Sequence, residues 1–327
     1  MTITSAGNVQ AGITSHDVLP KRKLSPGNRM FCLTVSSDGA ILAVAGEDGR
    51  IFICPSSTMQ LPIISMAWLG SIEKMLFSPG DTQLLTFSND GAICAWNIGE
   101  HLPARASRFA HGKGIHAACF SQDQAELFTG GLDGWIRGWH PSTFDMMHEI
   151  KATRHGVLAL LPFNENDHAF IASGNVDGTI AIININDHEI VHSIPAHNGP
   201  IFCLTDVGTR HFISSGNDDF LRLWQIGNDT PLLEVHAGQG KVLDAMRLDI
   251  DGGSFNFVTA GGDGSIVTWN LDVVSLACHQ IARLSAHERT VEQLMPDPEK
   301  NGFFSLSCDG NVKHWTMQAL IPEKIEK

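Results

Sequence analysis

The sequence predicts an all-β protein that folds as a seven-bladed β-propeller with four antiparallel strands in each blade. A tight turn carrying Asp, in most copies followed by Gly, recurs seven times between short apolar stretches, and Gly supplies the positive φ that such turns require. Successive copies lie 41 to 46 residues apart, a period typical of propellers and solenoids. In five copies a Trp follows the Asp after six residues. The turn residues are Asp48, Asp90, Asp133, Asp177, Asp218, Asp263 and Asp309.

The stretch Glu126–His140 illustrates the repeat. It reads E-L-F-T-G-G-L-D-G-W-I-R-G-W-H, which is a strand, the Asp-Gly turn and a second strand that ends in Trp. An apolar strand precedes this hairpin in every unit, and a looser fourth strand follows it. Four short strands per unit are typical of radially arranged blades. We therefore predict a single propeller over residues 17–317, between a flexible tail at 1–16 and a polar tail at 318–327.

Composition and charge limit the class of protein. Apolar residues make up 43% of the chain, but every apolar run is shorter than the ~20 residues that cross a bilayer. Residues 1–16 contain no Lys or Arg and no apolar block, which argues against a secretory signal. A net charge of −13 disfavours binding to nucleic acid or to anionic lipid. We expect a cytoplasmic protein without membrane insertion, with a nuclear or cytoskeleton-associated location as the open alternative.

The seven cysteines are expected to be reduced. Cys32, Cys119 and Cys203 stand at matching places in three units, in F-C-L, A-C-F and F-C-L, and the sequence contains no C-x-x-C pair. Free Cys packs as a small apolar side chain. We therefore place these three on the first, innermost strand of their units.

A second set of residues recurs with the turn Asp. In three units a His lies four residues before the Ile or Val that begins the first strand, and a Ser or Thr lies on the second strand. With the Asp and the Trp, these residues resemble the WD40-repeat family over essentially Asp17–Thr316. The resemblance implies a buried, hydrogen-bonded tetrad in each of the three units. Its members are His111, Thr129, Asp133 and Trp139 in unit three, His197, Ser214, Asp218 and Trp224 in unit five, and His287, Ser305, Asp309 and Trp315 in unit seven.

The tetrad is chemically self-consistent because its members satisfy one another. The Asp carboxylate is expected to accept hydrogen bonds from the His and from turn amides, and the Ser or Thr hydroxyl is expected to accept from the His and the Trp. A buried polar group without such a partner would cost free energy. We therefore expect the four residues to be retained or lost together. Unit six is a degraded case: it keeps Thr259, Asp263 and Trp269, but His236 lies two residues too far from Val242.

Other units depart further from the family. Unit four keeps Ser173 and Asp177 without a Trp, units one and two lack the His, and no repeat Trp is followed by the family's Asp. The prediction of the fold therefore rests more on the regular spacing of the Asp and Trp residues than on the family's signature residues. The family also closes its ring with an N-terminal strand that joins the last blade, and Asp17–Leu24 is expected to be that strand.

Two motifs resemble functional sites but do not fit their context. His188–His192 reads H-E-I-V-H, a motif that binds zinc when it lies on a helix. An outer strand is expected here instead, and a strand separates the two His by ~13 Å at ~3.3 Å per residue, which is too far to share one zinc ion. Gly238–Lys241 resembles the end of a phosphate loop, but the upstream Gly is missing. No acid, base or nucleophile clusters by repeat position. We predict no catalytic residue, no metal site and no cofactor.

The resemblance also implies a binding face, because in the family the Asp turns and the connections entering the blades lie on one, usually binding, face. Trp135, two residues after Asp133, departs from the mostly small or polar residues at matching positions. Because Trp is enriched at interface hot spots, Trp135 is the leading candidate for a partner contact. Alternatively, its ring folds down over the neighbouring blade. The further candidates are Arg50, Leu132, Asn217, Phe220 and Trp68, the last at the entry to unit two.

These features predict a non-catalytic scaffold that presents its loops to a peptide or domain of another protein, as a subunit of a larger assembly. Two alternatives stay open. One is a substrate receptor of a ubiquitin ligase, although the Trp-Asp-x-Arg signature of some such receptors is missing from every blade. The other is a structural component of a cytoskeletal or ciliary complex. An enzyme built on a propeller would need convergent acid–base or metal-binding residues around the channel.

Overall fold

The computed structural model describes residues 13–17, 29–56, 63–66, 70–98, 106–165, 168–208, 210–251, 254–298 and 302–317. Regular structure in these ranges is entirely β, in 28 strands that we number β1 to β28 along the chain. In the part of the chain so described, no helix is long and apolar enough to cross a membrane.

The strands form seven four-stranded antiparallel sheets. The first strands of the blades are β2 (Met30–Val35), β6 (Ile72–Phe77), β10 (Ile115–Phe120), β14 (Val157–Glu165), β18 (Ile201–Gly208), β22 (Val242–Asp251) and β26 (Val291–Asp297). The second are β3 (Ile41–Gly46), β7 (Gln83–Ser88), β11 (Leu127–Gly131), β15 (His168–Asn175), β19 (His211–Gly216), β23 (Ser254–Gly261) and β27 (Gly302–Ser307).

The third and fourth strands complete each sheet. The third strands are β4 (Arg50–Pro55), β8 (Ala92–Asn97), β12 (Trp135–Trp139), β16 (Thr179–Asn184), β20 (Phe220–Gln225), β24 (Ser265–Asp272) and β28 (Val312–Met317). The fourth, outer strands are β5 (Ile63–Met66), β9 (Ala106–Phe109), β13 (Met146–Lys151), β17 (Glu189–Pro195), β21 (Leu233–His236), β25 (Ala277–Ser285) and, in blade seven, β1 (Ile13–Asp17). The predicted all-β, seven-bladed propeller is confirmed.

Ring closure follows the expected principle but uses a different segment. β1 pairs antiparallel with β28, from Ile13 opposite Met317 to Asp17 opposite Lys313. The prediction that Asp17–Leu24 would form this strand is therefore wrong. A physical reason lies in the sequence: Ile13 and Thr14 are β-branched, whereas Pro20 would remove a backbone donor from the ladder. Of the N-terminal tail predicted at residues 1–16, Ile13–His16 lie in β1. Residues 1–12 and the predicted C-terminal tail at 318–327 lie outside the described residues.

The apolar core lies between neighbouring blades. Leu33, Val44 and Phe52 of blade one, for example, pack in one cluster with Phe304 and Leu306 of blade seven. Each blade therefore depends on two neighbours for burial of its apolar side chains, and closure of the ring provides neighbours for blades one and seven.

The three matching cysteines lie on innermost strands, as expected. Cys32 lies on β2, Cys119 on β10 and Cys203 on β18, and all seven cysteines are free thiols. Burial raises the pKa of the Cys119 thiol to about 12. A thiol with so high a pKa stays protonated, which fits a packing role rather than a reactive one.

The Asp turns share one face of the propeller. Each turn joins the second and third strands of a blade, and antiparallel pairing places it at the same end as the connection that enters the blade. Gly134 in the blade-three turn has a φ of 77°, and a Cβ there would lie 2.3 Å from the carbonyl oxygen of Thr153. Only Gly fits this turn. We call this end the Asp-turn face and the other end the opposite face.

Candidate functional site

The blade-three tetrad forms as the sequence predicts. His111 Nδ1 lies 2.9 Å from Asp133 Oδ1, and His111 Nε2 lies 2.8 Å from Thr129 Oγ1. Trp139 Nε1 donates to the same hydroxyl oxygen at 2.8 Å. Asp133 also accepts from the backbone N–H of Trp135 at 3.2 Å. The tetrad thus connects the entry connection, the second strand, the turn and the third strand of one blade.

The direction of one hydrogen bond differs from the expectation. Burial lowers the pKa of His111, and hydrogen bonding to Asp133 opposes this effect only in part. The ring is therefore neutral at pH 7 and carries one proton. Because a carboxylate only accepts, we assign that proton to Nδ1, so Thr129 donates to His111 Nε2 instead of accepting from it. Arg137 Nη1 also lies 2.7 Å from Nδ1, and with this tautomer its hydrogen bond goes to Asp133 Oδ2.

The same contacts recur in the two other predicted tetrads. The distances from His to Asp, from His to Ser and from Trp to Ser are 2.8, 2.6 and 2.8 Å for His197, Asp218, Ser214 and Trp224 in blade five. They are 3.3, 2.8 and 2.8 Å for His287, Asp309, Ser305 and Trp315 in blade seven.

Two of the tetrads extend to an Arg and a Glu that the sequence analysis missed. Arg137 Nη1 lies 3.0 Å from Asp133 Oδ2, and its Nε lies 3.0 Å from Glu149 Oε2 on β13. Arg222 makes the equivalent contacts with Asp218 and Glu234 in blade five, at 2.8 and 2.6 Å. The shared sequence signal is an Arg two residues before the repeat Trp. The network therefore reaches the outer strand in both blades.

These contacts keep the turn carboxylates ionised. Burial opposes the ionisation of Asp133, but hydrogen bonds from His111 and Arg137 outweigh it and lower the pKa to about 2. The balance is the same for Asp218, whose pKa is also lowered to about 2. Ionised carboxylates accept backbone N–H bonds strongly, which stiffens the turns.

Blade six replaces the missing His with Gln239. Its Oε1 accepts from Thr259 Oγ1 at 2.6 Å, and Trp269 Nε1 donates to the same hydroxyl at 2.9 Å. Gln239 Nε2 donates to Ser265 Oγ at 3.1 Å. The buried hydroxyl is therefore satisfied without a His. The signal was present in the sequence, since Gln239 lies three residues before Val242, one position from the usual His.

Blade four has lost two members of the tetrad and leaves the third without a partner. Thr153 occupies the His position and donates to Asp177 Oδ2 at 3.1 Å, while Ile183 replaces the Trp. Ser173 is fully buried, and within the described structure its Oγ has no hydrogen-bond partner. The expectation that tetrad members are lost together thus fails at Ser173.

Trp135 and Phe220 form matching aromatic–cation clusters on the Asp-turn face. The Trp135 ring is partly exposed and lies 5.6 Å from the Arg137 guanidinium and 5.2 Å from Lys151 Nζ. Phe220, at the same position in blade five, lies 5.1 Å from the Arg222 guanidinium. The ring contacts of Trp135 are thus with cations of its own blade. Its predicted role in partner binding remains a prediction.

Three other predicted residues also lie on this face. Arg50 begins β4 and its Nε lies 3.4 Å from Asp48, with 40% of the side chain exposed. Leu132 is half-buried just before Asp133, and Asn217 is exposed just before Asp218. Trp68 lies outside the described residues.

Exposed cations occur in the two connections next to the Asp turn of blade three and on its outer strand. Lys113 lies in the connection that enters blade three, and Arg154 in the connection that enters blade four; both are exposed. Lys151 is exposed opposite Trp135 on the outer strand. This part of the face is therefore basic on a chain with a net charge of −13.

The H-E-I-V-H motif forms a turn and a strand, as expected. His188 ends the turn before β17, and its ring stacks on that of His148 with 4.3 Å between centroids. His192 Nδ1 lies 3.2 Å from Asp229 Oδ1 of blade five. The two His side chains thus contact different neighbouring blades. Among the described side chains, no group of three or more His, Cys, Asp or Glu is placed to hold a metal ion.

We predict opposite outcomes for Ala at the two equivalent serines of blades five and four. Ser214→Ala leaves His197 Nε2 and the Trp224 N–H unpaired in the core, so the free energy of unfolding should fall by about 1–3 kcal/mol. Ser173→Ala removes a hydroxyl that has no partner, so stability should stay unchanged or rise by up to about 1 kcal/mol. Urea unfolding followed by fluorescence measures both. Equal losses in the two variants would show that the tetrad hydrogen bonds do not decide the difference.

We also predict that acidification destabilises the protein in two stages. The folded-state pKa of His111 and of His197 lies below the ordinary value, so the unfolded chain binds more protons and stability falls as the pH drops below about 6.5. A second loss follows below about 4, as the depressed pKa values of Asp133 and Asp218 are approached.

Melting temperatures measured from pH 8 to pH 3 test this prediction. The double variant His111→Gln and His197→Gln should lose part of the slope between pH 6.5 and 5, because Gln does not titrate and already fills this place in blade six. His279→Gln, at an exposed position of β25, is the matched control and should keep the wild-type slope. An unchanged slope in the double variant would contradict the assignment of neutral His in the tetrads.

Comparison with known proteins agrees with the repeat geometry. The family model "WD domain, G-beta repeat" matches residues 105–140 and 188–225, which contain the tetrads of blades three and five. The chain is 22% identical to the transcriptional corepressor LEUNIG_HOMOLOG of Arabidopsis thaliana over 88% of this chain and 35% of the relative. It is 21% identical to cilia- and flagella-associated protein 52 of Macaca fascicularis, over 90% of this chain and 50% of the relative.

A third relative, transducin beta-like protein 3 of Bos taurus, is 26% identical over 82% of this chain and 35% of its own length. The chain thus spans half or less of the length of these three relatives. The chain therefore carries WD40 repeats, matched at residues 105–140 and 188–225, within a propeller of seven four-stranded blades.

Proposed function

We propose that this protein is a non-catalytic scaffold that binds a segment of another protein on its Asp-turn face. The observation that carries the proposal is the pair of aromatic–cation clusters at Trp135 and Phe220. Both aromatics occupy the first residue of a third strand, beside a turn fixed by a complete tetrad. Aromatic and Arg side chains dominate protein-interface hot spots.

The rigidity of the two turns supports this role. The backbone N–H of Trp135 donates to Asp133, and the N–H of Phe220 donates to Asp218 at 3.3 Å. Arg137 and Arg222 tie the same carboxylates to the outer strands. A side chain held in place before binding loses less conformational freedom on association, which favours affinity.

The charge near Trp135 indicates the chemistry of the partner. Lys151 lies beside the aromatic ring, and Lys113 and Arg154 are exposed in the connections that enter blades three and four. An acidic segment of a protein would gain favourable electrostatic contacts here, and such complementarity also steers association. We therefore propose a partner segment that carries Asp or Glu beside an apolar side chain that packs on Trp135.

The names of the relatives support the general role and not a single assembly. One is named as a transcriptional corepressor and another as a cilia- and flagella-associated protein. A ciliary or cytoskeletal assembly is consistent with the second name, and the corepressor is consistent with a nuclear one. The assembly and compartment of this chain stay predictions.

Quantitative affinity capture from the native source tests the proposal. Trp135→Ala and Arg50→Glu should each lower the recovery of a specific protein, and Trp135→Ala by tenfold or more, since hot-spot truncation costs about 2 kcal/mol or more. Val274→Ala is the matched control, because this side chain is 84% exposed but lies on the opposite face. If the captured proteins and their amounts are the same for folded wild type and both variants, the Asp-turn face is not the binding face.

A further inference from the structure

A second exposed surface lies at the junction of blades three and four, on the opposite face and the adjoining perimeter. Four large apolar side chains that are 41–57% exposed lie there: Met146, Met147, Ile190 and Val191. Met146 and Met147 begin the outer strand β13, and Ile190 and Val191 are the second and third residues of β17. We call these four residues and the cavity beside them, described below, the blade 3–4 surface.

The two apolar pairs are structurally equivalent. Met146 pairs with Trp139 and His148 with Gly138, so Met147 is an extra residue that forms a β-bulge. In blade four, Ile190 pairs with Ile183 and His192 with Ile182, so Val191 is the equivalent bulged residue. The bulges turn these side chains outward and interrupt the strand edge, so a partner would contact side chains instead of adding a strand.

The two pairs adjoin one another across the blade boundary. The rings of His148 and His188 stack at 4.3 Å, and each ring lies within two residues of one apolar pair. A cavity of about 380 Å³ opens at the same end of the same two blades. Its apolar lining includes Phe163, Phe170 and Ile185. The surface thus combines exposed apolar side chains with a concave site for an anchor.

The charge of this region is consistently negative. No Lys or Arg occurs between Arg154 and Arg210. At this end of blade four, the described acidic residues are Glu165, Asp187 and Glu189. Asp187 and Glu189 are exposed beside Ile190, and Asp145 is exposed beside Met146. Arg210 of blade five reaches the edge of the cavity, where it is paired with Glu165. An acidic apolar surface of this kind complements a basic apolar segment.

We propose that the blade 3–4 surface binds a protein segment that carries Lys or Arg among large apolar residues. Its apolar side chains pack on Met147 and Val191 and enter the cavity, and its cations lie beside Asp187 and Glu189. This partner differs in charge and in position from the acidic segment proposed for the Asp-turn face. The protein would then join two partners of opposite charge through its two ends.

Blade six provides an internal comparison. Ile281 is the bulged residue of β25, equivalent to Met147 and Val191, and it is 39% exposed. Residues 277–287 around it contain no Asp or Glu, and Arg283 lies two residues away. Ile281 therefore places an apolar side chain in the equivalent bulge but without acidic neighbours in the sequence, which makes it a matched control.

Phage selection with random 12-residue peptides on the full chain tests the proposal. We expect enriched peptides with a net positive charge and at least two large apolar residues. Their affinity should fall at least tenfold in the double variant Met147→Gln and Val191→Thr, and severalfold in Asp187→Asn with Glu189→Gln. It should not change in Ile281→Gln or in Trp135→Ala. The substituted side chains are exposed, so circular dichroism should show unchanged folding.

Three results would overturn the proposal. They are the absence of any enriched peptide, enriched peptides without net positive charge, and equal binding by wild type and the Met147/Val191 variant. Loss of binding in Trp135→Ala would assign the peptides to the Asp-turn face instead. Failure of the Asp-turn proposal in affinity capture would leave this test unaffected, because the two surfaces share no residue.

Discussion

The buried hydrogen-bond network of His, Asp, Ser or Thr, and Trp is the constraint on which the blades depend. An unpaired buried polar group costs about 1–3 kcal/mol, so a buried hydroxyl favours an acceptor and a donor nearby, and Ser173 of blade four is the exception. In blade three the Thr129 hydroxyl donates to His111 and accepts from Trp139, which joins the second and third strands to the entry connection. Blade six shows that a hydrogen-bond acceptor is needed at this place and not a His in particular, because Gln239 accepts from Thr259 there.

The same network places the candidate binding residues. The carboxylates that lock the turns also accept from the backbone of Trp135 and Phe220, so the variable side chains project from fixed positions. Arg137 links the tetrad to the proposed binding residue, because it pairs with Asp133 and lies near the Trp135 ring. The stabilising residue and the proposed binding residue are therefore two positions apart in each turn: the Asp is retained in every unit, and the residue two positions later varies.

Much of the fold was predictable from the sequence because buried polar groups must recur at fixed spacing. The period of the turn Asp residues gave the blade count, and the three predicted tetrads all form. The closing strand was misplaced, since its position depends on pairing with a strand about 300 residues away. Backbone pairing at such a distance leaves no local periodic signal in a five-residue strand.

Other features depend on contacts that spacing does not reveal. The direction of the His111–Thr129 hydrogen bond follows from the burial of the ring, which only the folded structure defines. Gln239 was overlooked because it lies one position from the usual His. The bulges at Met147 and Val191 each insert one residue into the strand ladder. The strict alternation of a regular strand therefore does not predict which side chains face outward there.

Hydrogen exchange of the backbone amides across all seven blades tests most directly whether the tetrads set the stability of the blades. If they do, third-strand amides of β12, β20 and β28 exchange more slowly than those of β4 and β16, whose blades lack the complete set. Blade six, with Gln239, should exchange at a rate close to that of the complete blades. Uniform exchange in all blades, or faster exchange in blades three and five than in blade four, would contradict this dependence.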